Sequence, residues 1–200
     1  MIDFYGAPAS SAGRTHLVLE ECGVPYTYHR VNVRDPAAKA EYLKINPSGR
    51  VPFIVDGDLR MQESIAINFY LVEKYAPQLW STDLAQRAQI YAWSMWSITN
   101  VQPEGMRYAR HAFLIPAEVR SSYEAETGKT NTQKLMDELE QALGTSEYLV
   151  AGKLTVADYN VASVVNLVAG FKIAALGAHT QAWLDRMKAR PAWQKAAKEG

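Results

Sequence analysis

The chain changes its hydrophobic rhythm once, and that change limits the folds open to it. Up to about residue 75, short apolar runs of strand character alternate with helical patterns; beyond residue 84 no convincing strand occurs. Ile2 to Tyr5 is apolar and is stopped by Gly6 and Pro8. From Ser10 and Ser11 the spacing turns helical, with Leu17, Val18 and Cys22 on one face, until Gly23-Val24-Pro25 ends it. Tyr26 to Val33 alternates as a strand does, and Pro36 to Leu43 suits a short helix closed by Asn46-Pro47-Ser48-Gly49. Pro52 to Val55 and Leu59 to Gln62 flank Asp56-Gly57-Asp58, a hairpin signal. Ser64 to Tyr75 returns to helical spacing through Ile67, Leu71 and Tyr75.

A strand–helix–strand unit implies a parallel pair with a right-handed crossover. The hairpin adds an antiparallel pair, so the expected first domain, residues 1–77, is α/β with a mixed four-stranded sheet. Residues 78–83 read as a linker and residues 84–200 as an all-helical domain. Its expected helices are Leu84 to Ala112, interrupted at Pro103, then Pro116 to Leu143, weakened by Gly128, Thr155 to Phe171, Thr180 to Ala189 and Pro191 to Lys198.

Charge and cysteine content exclude several classes. The 200 residues carry 21 Lys+Arg against 21 Asp+Glu, and 48% are hydrophobic. Residues 1–80 hold 8 basic and 9 acidic groups, and residues 81–200 hold 13 and 12. Neither part has the basic footprint of a nucleic-acid binder. One cysteine cannot form an internal disulfide or a CxxC pair. The start, Met1-Ile2-Asp3-Phe4-Tyr5, has no signal-peptide pattern, and no apolar run approaches the roughly 18 residues of a membrane helix. The expectation is a soluble, cytoplasmic protein without a membrane partner.

Four local features bear on chemistry, each with a structural reading beside the functional one. Ala7-Pro8-Ala9-Ser10-Ser11-Ala12-Gly13-Arg14 opens the first helix. Its serines suit plain capping, or donation of a hydrogen bond to an anion at the helix start. For a thiolate, moving a pKa from about 8.5 to about 6.5 takes roughly 2.7 kcal/mol. A charge-assisted bond of roughly 1.5–3 kcal/mol plus a dipole term of roughly 0.3–1 kcal/mol suffices. In Asn46-Pro47-Ser48-Gly49-Arg50-Val51-Pro52-Phe53, Pro52 is either an ordinary trans proline on an edge, or a cis proline that turns the Val51 peptide outward toward an extended ligand. Gln62-Glu63-Ser64 either caps the third helix or holds a ligand's carboxylate and ammonium. Thr155 and Asp158 fit a capping box and read as structural.

Taken in order, these pieces resemble the glutathione transferase family over nearly the whole chain. The strongest residues are Asn46-Pro47-x-Gly49-x-Val51-Pro52, Glu63-Ser64-x-Ala66-Ile67 followed by Tyr70-Leu71, and Thr155-x-Ala157-Asp158. The resemblance implies a thioredoxin-like first domain that binds glutathione. In it Val51, before a cis Pro52, pairs with the cysteinyl backbone, and Glu63 and Ser64 hold the γ-glutamyl end, with Arg50 near the ligand. By the spacing to Arg14 of serine-type, theta-like members, Ser10 is the first candidate to stabilise the thiolate, Ser11 the second and Tyr5 the third. The implied reaction adds glutathione, as cosubstrate and without a further cofactor, to an apolar electrophile. A glutathione-dependent isomerase, peroxidase or reductase, or a non-catalytic binding module, are the alternatives. A homodimer is the family's usual assembly.

Other residues read as structure. Cys22 falls on the apolar face of the first helix. His16, His29, His111 and His179 are scattered without HExxH, and no metal is expected. The aromatic-rich helix after the linker is mostly core; Met106, Arg107, Arg110 and His111 are the candidates for an electrophile pocket.

Overall fold

A computed structural model describes residues 1–8, 10–32 and 35–199. The chain forms two compact units, one of residues 1–80 joined by the stretch after Lys188, the other Ser81–Lys188. Among the described residues, no helix is long and apolar enough to cross a membrane.

The first unit contains β1 (Ile2–Gly6), α1 (Ala12–Cys22), β2 (Tyr26–Arg30), α2 (Pro36–Ile45), β3 (Phe53–Asp56), β4 (Leu59–Gln62) and α3 (Ser64–Tyr75). The strands pair in the order β2-β1-β3-β4, with β1–β2 parallel and the other pairs antiparallel. That is the mixed four-stranded sheet expected from the element order. The strand expected to reach Val33 ends at Arg30, with one further bond from the Val31 N–H to the Gly6 carbonyl at 2.7 Å; Val33 itself lies outside the described residues.

Alternation along β1 separates its side chains. Ile2 and Phe4 are fully buried with Val18 and Leu19 of α1 and Ile67, Leu71 and Val72 of α3. Tyr5 belongs to a separate cluster around Val31, Tyr42 and Phe53. At the far end of the hairpin, the Asp56 carboxylate accepts from Tyr70 and Tyr75 hydroxyls at 2.6 Å and from Lys74 at 2.8 Å. This joins the β3–β4 turn to the last turns of α3.

The second unit contains α4 (Leu84–Trp96), a π-helical turn over Ser97–Val101, α5 (Gln102–Ala109), a second π turn over Arg110–Leu114, α6 (Ser122–Leu143), α7 (Val156–Gly170) and α8 (Ala178–Lys188). The helix expected over 84–112 with an interruption at Pro103 carries widened turns instead of a break, and Pro103 sits in the first turn of α5, where a missing N–H costs least. The helix expected from Pro116 starts instead after Ser121, whose hydroxyl accepts the Glu124 N–H. The last helix, α9 (Pro191–Glu199), was expected with the helical domain; it packs on α1 as part of the first unit, Arg190 pairing with Glu21 and Lys195 with Glu20.

Buried α7 is the axis of the second unit. The Asp158 carboxylate accepts the N–H groups of Leu149 (3.0 Å) and Thr155 (2.8 Å), the Thr155 hydroxyl (3.2 Å) and the Trp183 indole (3.0 Å). The capping box therefore also ties the preceding loop and α8 to the start of α7. Gly128, read in sequence as a weak point of α6, is a contact surface: an added Cβ would stand 2.7 Å from the Tyr108 nitrogen and 2.8 Å from the Glu104 carbonyl of α5.

Two outcomes follow for stability. Gly128→Ala must push α5 and α6 apart, and denaturation should show a loss of about 1–3 kcal/mol. Burial would raise the Asp56 carboxyl, but the bonds from Lys74, Tyr70 and Tyr75 outweigh it and hold it at about 2 against 3.8. A depressed folded value makes the contribution complete above about pH 4 and lost as pH falls through about 2. Urea denaturation across that range should show a flatter pH dependence for Asp56→Asn than for the unaltered protein; equal slopes would remove Asp56 from acid stability.

Candidate functional site

Sheet register gathers three distant segments. Tyr5 lies opposite Phe53, and Phe53 lies opposite Gln62. Because β3 runs against both neighbours, the end of β1, the start of β3 and the end of β4 share one edge of the sheet. The described residues just beyond those points are Ala7, Ser10 and Ser11, Arg50 to Pro52, and Glu63 with Ser64. Three motifs separated in the chain therefore meet because of pairing, before any side chain is considered.

The two serines are used differently. The Ser10 hydroxyl donates to the Ala7 carbonyl at 2.6 Å, and its oxygen accepts the Ala12 N–H at 3.2 Å, so it closes the loop onto the start of α1. The Ser11 hydroxyl reaches across to the Val51 carbonyl at 3.2 Å. It makes no capping bond to α1. Ser11 is thus the residue that joins the first motif to the second.

The Val51–Pro52 peptide is cis, as one of the two sequence readings held. The loop before it is held by buried Asn46, whose amide donates to the Arg50 carbonyl at 2.9 Å and whose oxygen accepts from the Ser48 N–H and hydroxyl at 3.2 and 3.0 Å. Tyr42 adds a bond from its hydroxyl to the same Arg50 carbonyl at 2.7 Å. Sequence reasoning overlooked Tyr42; a hydroxyl on the buried face of a short helix is the signal that it serves a backbone group. Arg50 points its side chain to solvent.

Glu63 has φ 72°, the left-handed region that a β-carbon disfavours. Glu63 is exposed at the N-cap while Ser64, 7% exposed, begins α3. Glu63 makes no side-chain cap, so an anion-receptive helix start stands beside an exposed carboxylate. Arg14, the spacing marker for Ser10, is only 5% exposed, and burial lowers its guanidinium to about 10. Tyr5 stacks on His29 at 4.5 Å and packs against Tyr42 and Phe53, on the α2 side of the sheet. Cys22 is half-buried at the end of α1, and burial, with Glu21 beside it, pushes its thiol up to about 12.

In the second unit, Met106 and Arg110 are exposed. Arg107 donates to Glu124 at 2.6 Å, and His111 accepts the Ser121 N–H at 3.3 Å, so these side chains secure helix contacts.

Comparison with known proteins supplies the identity of this arrangement. Residues 10–74 match the family model of the glutathione S-transferase N-terminal domain, and residues 105–191 that of its C-terminal domain. The chain is similar to glutathione S-transferase 3 of Zea mays, at 31% identity covering 97% of this chain and 92% of that protein. It is also 30% identical to the disulfide-bond oxidoreductase YfcG of Escherichia coli, covering 98% of this chain and 94% of that one. Among solved structures, the theta class glutathione S-transferase of Xanthomonas axonopodis pv. citri with glutathione bound superimposes with a TM-score of 0.83 at 29% identity, covering 98% of this chain and 96% of the other. With its sheet, its helical unit and its motifs in this order, the chain belongs to the glutathione S-transferase family.

Proposed function

We propose that this protein binds reduced glutathione at the shared sheet edge and conjugates it, through its sulfur, to an apolar electrophile. The observation that carries the reading is the Ser11 bond to the Val51 carbonyl, at the point where all three motif segments converge. The Val51 N–H and carbonyl suit the cysteinyl backbone as an added strand would. Glu63 takes the γ-glutamyl ammonium, and Ser64 with the first turn of α3 takes its carboxylate. Arg50 gives a neutral protein local positive potential toward an anionic peptide.

A cysteinyl residue paired with Val51 brings its sulfur beside Ser11. Ser10 was the first candidate by spacing, but its hydroxyl donates at 2.6 Å within its own loop, whereas the longer 3.2 Å bond from Ser11 to the Val51 carbonyl faces the second motif and would be exchanged for one to the thiolate. Ser11 is therefore the thiolate donor in this proposal. The thiolate lone pair forms the new carbon–sulfur bond, and the leaving group departs with the electrons of the bond it breaks. The nucleophile comes with the cosubstrate, so the reaction calls on no further cofactor. Met106 and Arg110 remain the candidates for contact with the electrophile. A homodimer belongs to the same reading; α4 offers exposed Leu84, Tyr91 and Met95 at helical spacing.

A second reading, glutathione-dependent disulfide reduction, is favoured by the resemblance to the Escherichia coli oxidoreductase. With the Cys22 thiol up at about 12, sulfur exchange would run between glutathione and the substrate rather than through the protein.

Turnover of an aryl halide and of a small disulfide, measured side by side with glutathione, separates the two readings. Ser11→Ala should lower kcat/KM about 10–100-fold and shift the pH–rate profile upward by about one to two units. Ser10→Ala should leave that profile in place; the reverse pattern would make Ser10 the donor. Glu63→Gln should weaken glutathione binding about tenfold with less effect on kcat. Absence of glutathione binding by the unaltered protein would sink the enzyme reading.

A further inference from the structure

Where α9 packs on α1, a group of side chains outside the glutathione site stands unexplained by transferase chemistry. His16 and Glu20 occupy successive turns of α1, and their side chains are 3% and 5% exposed. Glu199 approaches from α9, so that ligand atoms of all three lie within 4.8 Å of one another. The His16 Nε2 is 3.5 Å from one Glu199 oxygen and 3.8 Å from Glu20 Oε1. Tetrahedral ligands about 2.1 Å from a zinc ion stand about 3.4 Å apart, which these separations approach.

We propose that His16, Glu20 and Glu199 form a zinc site that fastens α9 to the first unit. An imidazole with two carboxylates is a donor set that suits zinc. The Tyr26 hydroxyl donates to Glu20 and lies 2.7 Å from the same imidazole nitrogen, which therefore donates to it and would exchange that bond, with its proton, for the ion. A cavity of about 340 Å³ bordered by Val24, Pro25, Tyr26, Tyr28, Lys195 and Glu199 opens beside Glu199, the third ligand. The rings of Phe4 and Tyr28 flank the imidazole at 5.8 and 5.0 Å, a low-dielectric wall that strengthens the ion's attraction to its carboxylates.

Two cations face the same groups. Arg30 donates to the Glu199 backbone carbonyl and leaves the carboxylate to the site. Lys195 sits 2.8 Å from Glu20 Oε2 but is 59% exposed, so it can swing into water when zinc arrives, while His16 and Glu20 stay held by burial. The lysine is thus a competitor of the ion. Sequence reasoning expected no metal because it sought HExxH; here the third ligand comes from a helix far along the chain.

The test is calorimetric titration of the glutathione-free protein with zinc, with thermal unfolding in parallel. One zinc per chain should bind, and saturating zinc should raise Tm. Glu199→Gln, a change on a partly exposed side chain, should weaken binding at least tenfold, and Lys195→Met should tighten it. Absence of one-to-one uptake, or uptake that neither variant alters, as Cys22 or surface histidines would give, overturns the site.

Discussion

Everything at the proposed glutathione edge depends on β1 being paired on both sides. Its parallel bond to β2 requires the α1 crossover, and its antiparallel bond to β3 reverses direction, so the end of β1 meets the beginning of β3. A slip of one residue in the Tyr5–Phe53 register would turn Phe4 out of the core and Tyr5 into it. It would also move Val51 away from Ser11. The hydrophobic force that buries Phe4 at 0% exposure therefore sets the position of polar groups it never touches.

The turns beyond that edge have their own restraints. Asn46 and Tyr42 both spend side-chain bonds on the Arg50 carbonyl, the last acceptor before Val51. Glu63 is held at positive φ between a paired strand and a packed helix, which is how a disfavoured backbone state persists. Core packing supplies the register, and buried hydrogen bonds supply the loop shapes. A ligand at this edge would meet backbone groups whose ordering was completed on folding, so less of its binding energy would go into arranging them.

Strands and helices of the first unit were legible because their apolar periods are local and strong; β4 and α3 have the bounds read from sequence. The failures lie where a distant partner decides. Nothing within Pro116 to Ser121 shows that the helix must wait for the Ser121 cap, and nothing in Leu84 to Ala112 shows two widened turns. Gly128 is poor helix former and close contact at once, and only the neighbouring α5 backbone reveals the second role. At the site, residue types were legible and hydroxyl directions were not: Ser10 and Ser11 differ in which carbonyl each can reach, a property of loop closure rather than of spacing. The partner of α9 was missed because its apolar face shows that it packs, not on what.

The single cysteine now bears on mechanism as well as composition. Its sulfur closes α1, where a helix carries partial negative charge, beside Glu21 and largely out of water. All three influences oppose a thiolate. The start of the same helix has the opposite polarity, and there the chain places Ser10 and Ser11 instead of a thiol. An anion-stabilising end with hydroxyl donors and no sulfur is suited to a thiolate brought from outside. One helix dipole, with serine at one end and cysteine at the other, thus supports the proposed reading in which the reactive sulfur arrives with the ligand.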